Sequence, residues 1–172
     1  EPAGAHLMGA LIDLGLTSAE TEPDTAGPDS IQYCDNTPDT RGLKDWTGET
    51  ASDVLGFPSV FQQLARFDTA EAASAYMDAY TGTVDCAEWV LPANDDGPEV
   101  TLRPQVVQAP ARYGDDTREI HFDGTSSFVP LYGRVAIVRR STDVYLVSIT
   151  SLLESDLDDL DRRLIARLQA NA

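Results

Sequence analysis

Few side chains in this sequence are of types that do chemistry. There are two histidines, His6 and His121, two cysteines, Cys34 and Cys86, and an acidic run holding Asp156, Asp158, Asp159 and Asp161. His121 precedes Asp123 and the hydroxyl-bearing stretch Gly124-Thr125-Ser126-Ser127, so the pieces of a hydrolytic triad are close in sequence. A nucleophilic serine needs a strained turn flanked by glycines, and that pattern is missing here. Two histidines this far apart are too few for a zinc site, and His6 reads as a surface residue at a helix start. The acidic run superficially resembles a calcium loop. Its sixth position is not Gly, however, and its twelfth is Arg167 instead of Glu, so it reads better as acids gathered at a helix N-terminus. No glycine-rich phosphate loop occurs. The residues therefore predict no catalytic centre, no metal site and no cofactor.

The cysteines are more informative. Cys34 and Cys86 are the only two in the chain, and without His/Cys clusters such a pair reads as a disulfide, the alternative being two buried free thiols. A disulfide places the chain in an oxidising, extracytoplasmic compartment. Trp46, Trp89, Tyr113 and Tyr132 lie in or beside loops, where aromatics either line a cleft for a small ligand or cap the core beneath the loops. Arg103, Arg134, Arg139 and Arg140 lie on expected strands, and in so acidic a protein they are expected to pair with surface carboxylates.

The elements that position these residues follow from periodicity. Ser59 to Phe67 is rich in β-branched and aromatic residues at its ends, lacks interior Gly and Pro, and predicts a strand. Asp68 follows as a helix cap with Glu71 three residues on. Ala70, Ala73, Met77 and Tyr80 then share one helical face, widened by Ala72 and Tyr76, until Gly82 ends the helix. Before this unit, Ala5–Leu14 predicts a short amphipathic helix, Thr17–Ser30 a loop, Ile31–Cys34 a short strand and Asp35–Gly56 a long irregular stretch. After it, strands are expected over Glu99–Gln108, Arg118–Phe122, Tyr132–Arg140 and Val144–Thr150. Pro104 should mark an edge or bulge, Asp123-Gly124 a turn, and Ser141-Thr142-Asp143 a hairpin loop. A last helix begins at Glu154, with Leu157, Leu160, Leu164 and Leu168 as its apolar stripe. The expectation is an α+β fold: one antiparallel sheet of about five or six strands with helices packed on one face, forming a single domain over residues 1–172.

With 172 residues and a formal charge of −17, the chain is long enough to bury a core and is a poor partner for nucleic acid or anionic membrane surfaces. No apolar run reaches the length of a membrane span. The chain begins at Glu1 and reads as a mature or trimmed product whose lipid or transmembrane anchor, if any, lies outside it.

The segment ARFDTAEAASAYMDAYTGTVDCAEW, with its Cys86-Ala87 pair, resembles the extracellular sensor domain of the actinobacterial serine/threonine kinase PknH and its lipoprotein relatives. The opening GALIDLGLTSAE and the ending VYLVSITSLLESDLDDLDRRLIARLQANA resemble the same family's terminal segments. The resemblance implies a non-catalytic, extracytoplasmic domain with a cleft between sheet and helices for a small ligand. One departure is visible: the kinase domain of this type carries two disulfides, and this chain has cysteines for one. Three readings follow. The first is an exported sensor or ligand-binding domain, monomeric, with a small molecule or envelope component as partner. The second is a protein-interaction or structural module of the cell envelope, and the third, least supported, is a hydrolase using His121.

Overall fold

The computed structural model describes residues 22–23, 34, 37–52, 57–82, 86–93, 98–107, 114–158 and 162–163. The expected helix Ala5–Leu14, residues 31–33 of the expected strand Ile31–Cys34 and the end of the Leu157 stripe lie outside these residues; Cys34 itself stands in a turn at φ 56°. In chain order the elements are β1 (Glu22–Pro23), β2 (Leu43–Ser52), β3 (Ser59–Phe67), α1 (Ala70–Gly82), β4 (Trp89–Leu91), β5 (Val100–Val107), β6 (Asp116–Ser126), β7 (Val129–Arg140) and β8 (Asp143–Ser151). They form one antiparallel sheet in the order β1-β2-β3-β8-β7-β6-β5-β4. The fold is α+β with a single sheet, as expected, but among the described residues the sheet has seven strands of three or more residues plus the two-residue β1, not five or six.

The extra strands come from stretches without a readable apolar period. β2, LKDWTGETAS, falls where an irregular stretch was expected, yet it pairs with β3 from Leu43↔Phe67 to Ser52↔Ser59. Its strand character comes from that pairing, since its own sequence is mostly polar. Asp123-Gly124, expected as a turn, lies inside β6 and pairs with both neighbours. A Cβ at Gly124 would collide with the Thr101 carbonyl, so the glycine permits a close approach of β5. The turn comes later, at Ser127 and Phe128, both at positive φ (48° and 71°). Pro104 does mark an edge: β4 pairs with Val100–Leu102, and among the described residues no strand pairs with that side of β5 at Pro104.

The strand–helix unit Ser59–Gly82 forms where its periodicity predicts. The cap differs: Thr69 Oγ1 accepts the Ala72 N–H at 3.1 Å, while the Asp68 N–H bonds the Gly42 carbonyl at 2.8 Å. Thr69 wins because it stands immediately before the first helical residue, where its hydroxyl reaches the third helical N–H. Gly42 itself sits at φ +81°, and a Cβ there would meet the Asp68 carboxylate and, at 3.1 Å, the Ala72 methyl. Gly42→Ala is expected to cost about 1–2 kcal/mol, measured by chemical denaturation. No change in midpoint would mean that this junction relaxes freely.

Register sorts the sheet into two faces. Ala65, Phe67, Val144, Leu146, Val135, Ile137, Ile120 and Phe122 share one face, covered by Ala73, Tyr76, Met77 and Tyr80 of α1. Arg118 ties the helix to β6 through Asp78 (2.7 Å) and Thr81 (2.8 Å). The opposite face also carries fully or nearly fully buried residues, among them Val60, Leu64, Val138 and Ile149. The short helical turn 154–158 meets that second face, where Asp158 pairs with Arg134 at 2.7 Å. Helices on one face only was therefore too simple: both faces of the central strands are apolar, and each needs a cover.

Candidate functional site

The strand face that α1 covers changes character along its length. On β8 that face reads Val144, Leu146, Ser148, Thr150. The first two are buried beneath the helix; the last two are half-buried hydroxyls beyond it. α1 covers the end nearest Phe67 and leaves the end nearest Ser59. There the sheet and the Phe57 segment wall a cleft of about 380 Å³.

Ser59, Thr150 and Gly133 lie in one register row across β3, β8 and β7, with Ser148 one row nearer the helix. Gly133 deepens the floor: a Cβ there would come within 3.3 Å of both Phe122 and the Ile149 carbonyl. Phe57, Leu91, Val100, Leu102, Phe122 and Leu131 form apolar walls, and Tyr132 completes the lining. Among the described residues no Asp, Glu, Lys, Arg or His lines it, nor does any residue of α1, so the described wall is sheet and loop.

A smaller concavity of about 170 Å³ lies on the other face, with Gln105, His121, Asp123, Arg134, Glu154 and Leu157 among its lining. His121 Nε2 is 3.5 Å from Glu119 Oε2. Ser126 belongs to the opposite face by register, and Thr125 is four residues along the strand, about 13 Å away at the usual rise. No triad is assembled among the described residues, and none of them form a cluster of metal-ligating side chains. The groups with displaced pKa values also lie away from the cleft. The Arg41 guanidinium, hydrogen-bonded to Asp39, lowers that carboxyl to about 2. Burial, and then the Asp143 charge, raise Tyr145.

Of the aromatics singled out from the sequence, Tyr132 lines both concavities. Trp89 is half-buried against the core beside Leu102, and Trp46 lies on β2 opposite Ala65. Neither lines the cleft, and Tyr113 lies outside the described residues. Arg103 pairs with Glu88 and Asp123, Arg134 with Asp158, and Arg139 with Asp115, as expected. Cys34 and Cys86 are joined, with Cα atoms 5.7 Å apart. The bridge holds Cys86, just before β4, to Cys34, which packs against the core. Sequence reasoning missed Phe57, Ser59, Gly133, Ser148 and Thr150. The available signal was the switch from apolar to hydroxyl residues at alternate positions of β8.

No family model matches the chain, and no curated protein matches it in sequence. Among solved structures it is similar to the crystal structure of the extracellular domain of PknH from Mycobacterium tuberculosis. The TM-score is 0.63 over 93% of this chain and 89% of that one, at 14% identity. At that identity the likeness shows a shared fold.

Proposed function

We propose that this chain is an extracytoplasmic, non-catalytic sensor or ligand-binding domain of a cell-envelope protein, a lipoprotein or receptor-kinase ectodomain, taking a small molecule in the cleft beyond α1. The observation that carries this reading is the cleft itself, of a volume typical of small-ligand sites. The fold shared with an extracellular domain supports it, as does the Cys34–Cys86 bridge, which belongs to oxidising compartments. On this reading residues 1–172 act as one monomeric domain, and Tyr132 meets the ligand together with Phe57 and Phe122.

The test is a thermal-shift screen of envelope glycans, lipids and small anions, repeated on Ser148→Leu. Leucine at this half-buried position fills the floor of the cleft. A true cleft ligand is expected to lose roughly tenfold or more in affinity, equivalent to about 1.4 kcal/mol. Undiminished binding to a folded Ser148→Leu protein would remove the cleft from consideration.

A second reading rests on Phe128. This residue is 99% exposed at the tip of the β6–β7 hairpin, beside the exposed Val129, in a backbone conformation that bulky residues rarely adopt. An aromatic so presented suits a protein-interaction module. That reading predicts that Phe128→Ser abolishes partner capture while leaving small-molecule binding intact.

A further inference from the structure

The chemistry of the cleft wall narrows what it can hold. A bound carboxylate, phosphate or ammonium group leaves water only where an opposite charge or several hydrogen bonds replace its hydration. Among the described residues this wall has no charged side chain, and the protein's net charge of −17 further disfavours anions. Sugars have hydroxyls on every edge and need matching polar groups around the site, whereas here, apart from the Tyr132 phenol, the side-chain hydroxyls of the described wall gather on β3 and β8. Ser59, Ser148 and Thr150 supply three hydroxyls on β3 and β8, and these make no hydrogen bond to another described residue. Across Gly133 the lining turns apolar through Phe122, Leu131, Leu102 and Val100.

From this one-sided wall we infer that the cleft takes an uncharged amphiphile, with an apolar chain or ring system lying over β5–β7 and one neutral hydrogen-bonding head, such as an ester, amide or alcohol, against the hydroxyls of Ser59, Ser148 and Thr150. The inference rests on the cleft being a ligand site, as proposed above, and names the class of ligand. Each hydroxyl can donate or accept, so the site discriminates by the absence of charge and by apolar area, not by one fixed polar pattern.

The experiment is calorimetric titration of the intact protein with octanoyl-, decanoyl-, lauroyl- and myristoylglycerol, each below its aggregation concentration. The corresponding fatty acids at neutral pH and a disaccharide are run in parallel, and all are repeated on Ser148→Leu. The expected result is affinity rising about fourfold per added methylene until the cleft is full. The ionised acids should bind at least tenfold more weakly than their glyceryl esters, the sugar should not bind, and Ser148→Leu should lose the series. If the acids or the sugar bind as well as or better than the esters, and Ser148→Leu removes that binding, the cleft remains a ligand site and the assignment of an uncharged amphiphile is overturned. If nothing binds in a manner sensitive to Ser148→Leu, both readings are overturned together.

Discussion

Replacing Cys34 and Cys86 together by serine is expected to lower stability by about 4 kcal/mol, from the loop-closure entropy of a 52-residue separation. For a chain of this length that corresponds to a fall in Tm of roughly 8–16 °C. The effect acts mainly through the unfolded state, which regains the freedom that the bridge removes. The native sheet should persist, so far-UV circular dichroism at room temperature should match the parent. Reductant should shift the parent protein by the same amount and leave the double serine variant unmoved. A parent whose thiols become titratable under reductant without any change in Tm would show that the link adds nothing beyond the packing of Cys34 against the core.

Tyr76→Ala is expected to be as damaging, at about 3–5 kcal/mol. The ring is fully buried and stands 5.1 Å from the rings of both Phe67 and Tyr80, forming the contact that seats α1 on the sheet. Tyr76→Phe separates the hydroxyl from the ring. Tyr76 Oη accepts a hydrogen bond from Gln63 Nε2 at 2.9 Å, within a region where both residues are closed to solvent. Leaving that amide without its acceptor should cost about 1–3 kcal/mol. Gln63 Oε1 has no hydrogen-bond partner among the described residues, so Gln63→Leu combined with Tyr76→Phe should cost clearly less than the two single changes added together. Additive losses in denaturant unfolding would show that the two side chains act independently.

The cleft and the core share one sheet face, and their boundary lies within single strands. On β8 the residues Val144 and Leu146 face Tyr76 and its neighbours, whereas Ser148 and Thr150 face the cleft. Such a boundary is readable only when it is known where the covering helix stops. The same limit applies to Trp46 and Trp89. Their types made them candidates for a cleft, but whether an aromatic beside a loop caps the core or lines a site depends on what the rest of the chain places over it.

By itself the sequence determined the strand–helix unit Ser59–Gly82, the hairpin it reads as Tyr132–Arg140 and Val144–Thr150, and the partnership of the two cysteines. In each case the signal is local or exclusive: a period of two or of 3.6 over successive residues, a short polar break between two strands, or one available sulfur. Only the tertiary structure decided that the polar stretch Leu43–Ser52 is a strand, that Gly124 lies inside one, and that Ser59, Gly133, Ser148 and Thr150 meet on one floor. Those outcomes depend on backbone pairing between residues distant in sequence, and the hydrogen bonds of a sheet are made by groups that every residue carries. Side-chain patterns therefore mark a strand when one of its faces is apolar, and say little when the neighbouring strand alone holds it in place.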